Sequence, residues 1–391
     1  MKPRVRFVYA PQLAAWRLGE DHPFKPERLD ALKDLLERTG LLPDELVRAP
    51  DALPAGSLEA VHDPGYVEVV RAASHGKRLE EAYRHGLGTS DTPLSPGLHD
   101  AVTSVCAATW TAMNVVLSGE ATRAAAFSGG LHHAMRDRAS GFCVYNDLNV
   151  AIAHARSKGA RVAYLDVDAH HGDGVQDAFY ADADVLTVSL HESGRYLFPG
   201  TGYGSELGRE AGRGWSVNVP LEPFTDDASF LEAFDLVVPA ALEAFAPDVI
   251  VLQAGADAHA LDPLADLQLS LQGMRAVYER VVGLADALCE GRLVVTGGGG
   301  YAAFHVPPRA WAHAWSAMTG APLPERLPEA WRQRWRDVAG HDLPEFALDA
   351  PQDTLPESRR VAMTSHNRAV ARRVLDVASP LWARRVGEES T

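Results

Sequence analysis

Short apolar runs alternate along this chain with longer stretches in which apolar residues recur every three to four positions. The runs are typical of strands buried on both faces of a parallel sheet, and the longer stretches are typical of amphipathic helices. We predict strands at 5–10, 124–129, 161–167, 185–190, 216–220, 248–255 and 292–298. Among the helices we predict are 99–118, 144–158, 227–246 and 270–290. The alternation predicts an α/β fold whose central, mostly parallel sheet carries helices on both faces.

Polar, glycine-rich segments follow five of these strands. They read SGGLHHAM, LDVDAHHGDG, SLHESGRYLFPGTG, QAGADAH and TGGGGY. Ligands of open parallel sheets bind outside the carboxyl ends of the strands. The five segments therefore predict one composite site at that edge of the sheet.

The strand pattern stops near residue 320, where proline and charged residues become more frequent. We predict a main domain over residues 1–320 and a helical and loop extension over 321–391 that packs on the same domain. Hydrophobic residues make up 46% of the 391 residues, which is enough for a large core.

The chain is acidic, because 37 lysines and arginines against 52 aspartates and glutamates give a net charge of −15. An acidic surface repels phosphate backbones and anionic lipid, so we expect neither nucleic acid nor a membrane as a partner. A cationic substrate or a lysine-rich protein tail fits the sign, although solubility alone also accounts for it. No run reaches the about 18 apolar residues of a membrane span, and the N-terminus lacks the apolar segment of a signal peptide. With three widely spaced cysteines and no CxxC pair, these features predict a cytoplasmic protein.

The segment LDVDAHHGDG places Asp166, Asp168 and His170 two residues apart, so that their side chains share one face of an extended chain. A bound cation would relieve the repulsion between the carboxylates, and Asp257 in QAGADAH offers a third ligand. Two carboxylates and one imidazole suit an open catalytic site for Zn²⁺, with Fe²⁺ or Mn²⁺ as alternatives. A turn capped by Asp166 and a hydrogen-bonded His170 would explain the same stretch without any metal.

Two further motifs carry side chains that packing does not require. Adjacent imidazoles at His132 and His133 each need an acceptor on the second ring nitrogen, and Asp166 and Asp173 are available for this role. A surface histidine pair is the alternative interpretation. The segment GGGGY lacks the GK[ST] of a phosphate-binding loop, so we expect its glycines to press against a pocket that receives the Tyr301 hydroxyl.

Taken in order, these motifs closely resemble those of the zinc-dependent histone deacetylase superfamily. The resemblance is carried by SGGLHHAM, SGFCVYND, YLDVDAHHGDGVQDAFY, VSLHESGRYLFPGTG, QAGADAHALDPL and TGGGGY, with HPFKPERL and VHDPGYVEVV nearer the N-terminus. It spans residues 5–320 and is similar to class I-type deacetylases and their bacterial relatives, the acetoin-utilisation proteins. The resemblance implies the arginase/deacetylase fold and makes residues 1–320 a deacetylase catalytic domain.

The resemblance also implies a metal centre with two catalytic histidines beside it. The zinc ligands would be Asp168, His170 and Asp257. The groups that act on the substrate would be His132, His133 and Tyr301. Two carboxylates would support the histidines from behind, Asp166 for His132 and Asp173 for His133.

Around this centre, the resemblance implies a substrate channel and a second ion. The channel for the acyl-lysine stem would be lined by Gly141, Phe142 and Phe198, with Leu264 at its rim. Asp91 would hold the backbone of the substrate. A structural potassium ion would be bound, partly through backbone oxygens, by Asp166, Asp168, His170, Ser189 and Leu190.

Three departures from the family pattern concern the surroundings of this centre. Ala139 stands where the family often has aspartate, and Leu197 replaces a common phenylalanine. Residues 182–185 do not support the second monovalent cation site of the family. These departures bear on substrate preference and on that second ion.

The expected activity is the removal of acetyl or other acyl groups from lysine side chains of proteins or peptides. In this scheme His133 takes a proton from water and later gives it to the lysine nitrogen, while His132 assists and Tyr301 and the metal stabilise the oxyanion. Acetylpolyamines or other acetylated small amines are the alternative substrates. An arginase-type hydrolase and a binding protein without turnover are further alternatives, against which the intact histidine pair and tyrosine argue.

Overall fold

The computed structural model describes residues 4–350 and 356–389, with side chains as far as residue 383. Within these ranges one sheet contains eight strands, all paired in parallel in the order β2-β1-β3-β8-β7-β4-β5-β6. The strands are β1 Val5–Val8, β2 Val47–Arg48, β3 Arg123–Ala126, β4 Val162–Asp166, β5 Val185–Glu192, β6 Ser216–Leu221, β7 Val249–Gln253 and β8 Leu293–Thr296. The seven predicted strands are confirmed, and the additional strand β2 has only two residues, too few to produce a recognisable hydrophobic pattern.

The same ranges contain eleven α-helices. They are α1 Glu27–Arg38, α2 Pro64–Ala73, α3 Leu79–Arg84, α4 Leu98–Leu117, α5 Asp147–Ser157, α6 Asp173–Phe179, α7 Asp227–Phe245, α8 Leu271–Leu288, α9 Pro307–Thr319, α10 Glu329–Ala339 and α11 Glu357–Glu389. The four helices named in the sequence analysis correspond to α4, α5, α7 and α8, each within three residues at either end. Side chains cap the N-termini of several helices. At the start of α5, for example, the Asn146 side chain accepts a hydrogen bond from the Asn149 amide.

Helices cover both faces of the sheet. Every residue of β3, β4, β5, β7 and β8 is buried. Because successive side chains of a strand point to opposite faces, such burial requires a cover on each side. Helix α4 packs against β1, β3 and β8, and α7 packs against β5 and β6.

Four of the five strands that precede the polar segments end at the same level of the sheet. Asp166 at the end of β4 is in register with Gln253 at the end of β7, and Gln253 is in register with Thr296 at the end of β8. Ala126 at the end of β3 continues this line beside Thr296. Four neighbouring strands thus release their loops side by side, which confirms the predicted edge for a composite site.

The C-terminal residues pack along the edge of the sheet near β6. Helix α11 runs against α7 and β6. Trp382 on this helix stacks on Trp215 and donates a hydrogen bond from its indole nitrogen to the Gly214 carbonyl. Asn367 donates to the Thr225 hydroxyl over 2.7 Å. The division of the chain at residue 320 stays a prediction.

Among the described residues, no helix combines the length and the apolar character that crossing a membrane requires.

Candidate active site

Three buried side chains converge at the ends of β4 and β7. The ligand atoms of Asp168, His170 and Asp257 all lie within 4.8 Å of one another. His170 Nδ1 is 3.2 Å from an oxygen of Asp168 and 2.9 Å from an oxygen of Asp257. The structure thus brings together the three residues that the sequence analysis named as metal ligands.

Main-chain and amide donors orient the two carboxylates of this triad. Asp168 Oδ2 accepts hydrogen bonds from the Gln253 side chain and the Gly299 amide, each over 2.8 Å. Asp257 Oδ1 accepts one from the Ala169 amide over 2.8 Å. Partners of this kind fix the direction of metal-binding carboxylates and tune them.

The electrostatics of the triad favour a cation. Burial and the charge of Asp168 raise the pKa of Asp257 to about 7. Burial acts to raise the pKa of Asp168 as well, but the charges of His132 and His170 outweigh it and hold that pKa well below its usual range. Burial acts to lower the pKa of His170, but its hydrogen bonds with both carboxylates raise the pKa well above its usual value. Two carboxylates and one imidazole in a buried cleft are a donor set that fits Zn²⁺.

The two adjacent histidines each lie against a carboxylate. His132 Nδ1 is 2.9 Å from Asp166 Oδ2, and His133 Nδ1 is 2.7 Å from Asp173 Oδ1. The ring centroids of the histidines are 4.0 Å apart, and the His133 ring meets the His170 ring edge-on at 5.9 Å. All four side chains are buried, so a surface histidine pair is the wrong interpretation.

The two histidines differ in basicity despite their similar partners. Burial acts to lower the pKa of His132, but the charges of Asp166 and Asp168 outweigh it and raise that pKa to about 9. Burial and the charge of His132 lower the pKa of His133 to about 4, against the opposing effect of Asp173. Asp173 acts to raise the pKa of His133, as Asp166 does for His132, but only at His132 do the neighbouring carboxylates outweigh burial.

The glycine-rich segment brings its backbone against the metal-binding triad. A Cβ atom on Gly299 would collide with the Asp257 carboxylate, so only glycine fits here. Two residues later, the Tyr301 amide donates a hydrogen bond to Asp262 Oδ2 over 2.7 Å. Burial, followed by the charges of Asp257 and Asp168, raises the pKa of the Tyr301 phenol well above its usual value, so the hydroxyl keeps its proton.

Two aromatic rings flank the approach to His133. The Phe198 ring meets His133 edge-on with 5.0 Å between centroids, and the Phe142 ring meets Tyr301 in the same way at 5.6 Å. Gly141 lies against His133 and Phe198, because a Cβ there would come within 2.5 Å of His133 Cδ2 and 2.9 Å of Phe198 Cε1. These contacts place the residues named for the channel beside the site, while the channel itself stays a prediction.

The rim residues and the proposed potassium ligands lie around this centre. Leu264 is 36% exposed, and Asp91 is exposed beside the buried ring of His22. Ser189 is in register with Asp166 on the neighbouring strand, and Leu190 follows it in β5. This arrangement places the residues named for potassium next to one another, while binding of the ion stays a prediction.

Sequence reasoning did not single out several residues that contact the site. Arg28 is buried and donates hydrogen bonds to the Gly298 and Gly300 carbonyls over 2.7 and 2.8 Å. The His22 ring meets the Phe142 ring at 4.5 Å. Both residues belong to the motif HPFKPERL, which supplied a signal for their importance, although it did not indicate where they would lie.

Comparisons with known proteins define the class to which this fold and site belong. A model of the histone deacetylase domain matches residues 22–318, so the chain belongs to the histone deacetylase family. It is a deacetylase, a hydrolase of amide bonds, and dependence on zinc is a general property of that family.

Individual relatives place the chain more narrowly. It is 45% identical to the acetoin utilization protein AcuC of Bacillus subtilis over 320 residues, which cover 80% of this chain and 82% of the relative. It is 36% identical to AcuC of Staphylococcus xylosus over 378 residues, covering 96% and 98% of the two chains. The crystal structure of a histone deacetylase homologue from Aquifex aeolicus superposes with a TM-score of 0.81 at 26% identity, covering 93% of this chain and all of that one. The chain is therefore a bacterial, AcuC-like member of the family with the arginase/deacetylase fold.

Proposed function

We propose that this deacetylase removes acetyl or other acyl groups from lysine side chains of proteins or peptides. The observation that supports the proposal is the pair of edge-on aromatic contacts at the site, between Phe198 and His133 and between Phe142 and Tyr301. An unbranched lysine stem fits a passage bounded by two aromatic rings and a glycine. The acyl carbonyl would then lie between Tyr301 and the triad.

A cavity beside Tyr301, which we take as the mouth of this passage, favours a large substrate over a small one. This cavity has a volume of about 560 Å³. Its lining includes Leu261, Pro263, Val338 and His341, and the side chains of Leu261 and Val338 are about half exposed. Such a cavity offers room for the residues that flank an acylated lysine in a peptide. A polyamine has no flanking residues to place there.

In this proposal Asp168, His170 and Asp257 hold Zn²⁺, with Fe²⁺ as the alternative metal. When bound, the metal supplies polarisation of the acyl carbonyl and acidification of water. Asp166, Asp168, His170, Ser189 and Leu190 would hold K⁺ as a structural ion.

The histidines would divide the proton transfers between them. Because His133 Nδ1 donates to Asp173, a neutral His133 has its lone pair on Nε2 and accepts the proton of the attacking water there. The water oxygen bonds to the acyl carbon, the carbon–nitrogen bond breaks, and His133 returns the proton to the lysine nitrogen. His132, whose pKa is raised because the charges of Asp166 and Asp168 outweigh burial, would stabilise the negative charge that develops.

Tyr301 would complete the site as a neutral donor. Its phenol keeps its proton, so the hydroxyl donates a hydrogen bond to the acyl oxygen as charge develops there. The Phe142 ring holds the tyrosine ring from one side. Asp262 fixes the backbone amide of Tyr301.

We further propose that the enzyme works in the cytoplasm. All three cysteines, Cys106, Cys143 and Cys289, are free and buried. Free thiols that persist in this way are usual in a reducing compartment.

Rates on two classes of acetylated amine test the proposed substrate. We expect kcat/KM for acetyl-lysine peptides to exceed that for acetylspermidine and acetylputrescine. A longer peptide should be a better substrate than the blocked single residue, because only the peptide reaches the cavity beside Tyr301. Higher kcat/KM for the acetylated polyamines would overturn the assignment in favour of a small-molecule deacetylase.

A further inference from the structure

A buried carboxylate from the C-terminal part of the chain lies next to the loop that carries Asp257. Asp349 follows the region matched by the histone deacetylase model, and its side chain is only 8% exposed. Its Oδ2 accepts hydrogen bonds from His259 Nε2 and from the Leu271 amide, each over 2.8 Å. Its Oδ1 lies 3.2 Å from the buried guanidinium of Arg309.

His259 is the partner that connects this carboxylate to the site. Its Nδ1 accepts a hydrogen bond from the Leu261 amide over 3.1 Å, so its Nε2 carries the proton and donates to Asp349. The carbonyl of His259 accepts from the Asp262 amide over 2.8 Å. The imidazole is fully buried, so both of its ring nitrogens depend on these partners.

The loop around His259 carries two elements of the site. Asp257 lies two residues before it and belongs to the triad. Asp262 lies three residues after it and accepts the Tyr301 amide through Oδ2 and the Leu264 amide through Oδ1. A shift of His259 would therefore move Asp257 of the triad on one side and, through Asp262, the backbone of Tyr301 on the other.

We propose that Asp349 is a positioning residue of the active site, which acts through His259 to fix the loop from Asp257 to Asp262. The inference rests on the proposed function, in which Asp257 is a metal ligand and Tyr301 acts on the substrate. It assigns to the C-terminal part of the chain a role in building the metal centre, in addition to packing.

Replacement of Asp349 by asparagine tests this role with little change of shape. The three groups facing the side chain, from His259, Leu271 and Arg309, are all donors, so an amide NH₂ group has no acceptor to meet. We expect Asp349→Asn to weaken zinc binding about tenfold, the lower end of the effect of removing a partner behind metal ligands. The dissociation constant is measured by competition with a chelator, and the visible spectrum of the Co²⁺-substituted protein reports the ligand geometry.

Asp342→Asn is the matched control, because Asp342 lies in the same segment with its side chain 88% exposed. It should bind zinc as the wild type does. If Asp349→Asn keeps the wild-type zinc affinity and Co²⁺ spectrum, even with a lower melting temperature, the carboxylate is merely structural and the proposal is overturned.

Variants of His259 keep the proposal testable if Asp349→Asn does not fold. His259→Gln retains a side-chain donor that can reach Asp349 and should bind zinc within about twofold of the wild type, whereas His259→Ala should show the tenfold loss. Adding Asp349→Asn to His259→Ala should cause no further loss, because both act through one contact. Equal zinc affinity of the glutamine and alanine variants, or fully additive losses, would overturn the proposal.

Wild-type measurements separate this inference from the proposed substrate. If the wild-type protein binds zinc but hydrolyses neither acetyl-lysine peptides nor acetylpolyamines, the proposed function fails. The comparison of zinc affinities still decides the role of Asp349 in that case.

Discussion

The inner site, formed by the triad, the two histidines and the carboxylates behind them, and the proposed mouth of the substrate passage are built on opposite principles. In the inner site Asp166, Asp168 and Asp257 are at most 1% exposed, and each accepts hydrogen bonds from fixed donors. At the mouth Leu261 and Val338 are 53% and 54% exposed. The buried charges have a single arrangement that satisfies them, whereas the exposed apolar groups accept substrates of different shape. Changes in the inner site should therefore abolish activity, and changes at the mouth should alter substrate choice.

The largest effect should come from Asp257→Asn. This change removes one carboxylate oxygen from the triad and turns an amide NH₂ group toward His170 or Ala169, each of which offers a donor. We expect the variant to lose both bound metal and activity. Elemental analysis of the purified protein measures the zinc content, and circular dichroism checks the fold. Full zinc occupancy would contradict the assignment of Asp257 as a ligand.

Tyr301→Phe should have the next largest effect while leaving the metal in place. The variant loses the hydroxyl that donates to the developing oxyanion, and the loss of one such donor costs about 10²–10³ in kcat. The backbone contact of Tyr301 with Asp262 is unaffected, so the loop should keep its position. Steady-state rates together with zinc content make the test, and wild-type turnover would remove Tyr301 from the mechanism.

The inner site was largely predictable from the sequence, and particular residues show why. Asp168 and His170 are close in sequence and lie just after Asp166, the last residue of the buried strand β4, so a local motif was enough to identify them. Asp257 is distant in sequence, but its strand pairs with β4 in register, as the edge rule for parallel sheets requires.

The unpredicted parts depend on contacts that no local pattern encodes. The opposite pKa shifts of His132 and His133 arise from the balance of burial against neighbouring charge, which is a property of the packed site. The contact of Asp349 with His259 joins positions 90 residues apart through the tertiary fold. The sequence offered no spacing or motif from which this pair could be inferred.

A pH series tests whether Asp349, like the carboxylates of the inner site, stabilises the protein as a buried, ionised group. Burial acts to raise the pKa of Asp349, but the hydrogen bonds from His259 and Leu271 and the charge of Arg309 outweigh it and lower the pKa from 3.8 to about 2. Because the pKa of Asp349 is lower in the folded chain than in the unfolded chain, the ionised carboxylate stabilises the fold. This contribution to stability is complete above pH 3.8 and is lost as the pH falls toward 2. We expect Asp349→Asn to be less stable than the wild type by about 3 kcal/mol at pH 7, since Arg309 loses its buried partner.

Melting temperatures of the wild type and of Asp349→Asn between pH 3 and pH 7 measure this difference. The gap should be constant from pH 7 to pH 5 and should narrow below pH 4. Asp342→Asn, with its exposed side chain, should melt with the wild type throughout. If the difference in melting temperature between the wild type and Asp349→Asn stays the same down to pH 3, the ionised carboxylate does not cause it.

The smallest effect should come from Leu261→Ala at the mouth. Leu261 is half exposed and lines the cavity beside Tyr301, so its truncation should cost a peptide about 1 kcal/mol of binding, or about fivefold in KM, with kcat unchanged. A blocked acetyl-lysine residue does not extend into the cavity and should be hydrolysed as by the wild type. Val377→Ala, which removes an exposed apolar side chain on α11, is the matched control. If KM rises equally for the peptide and for the single residue, Leu261 acts on the inner site. The proposed difference between the inner site and the mouth would then be wrong at this position.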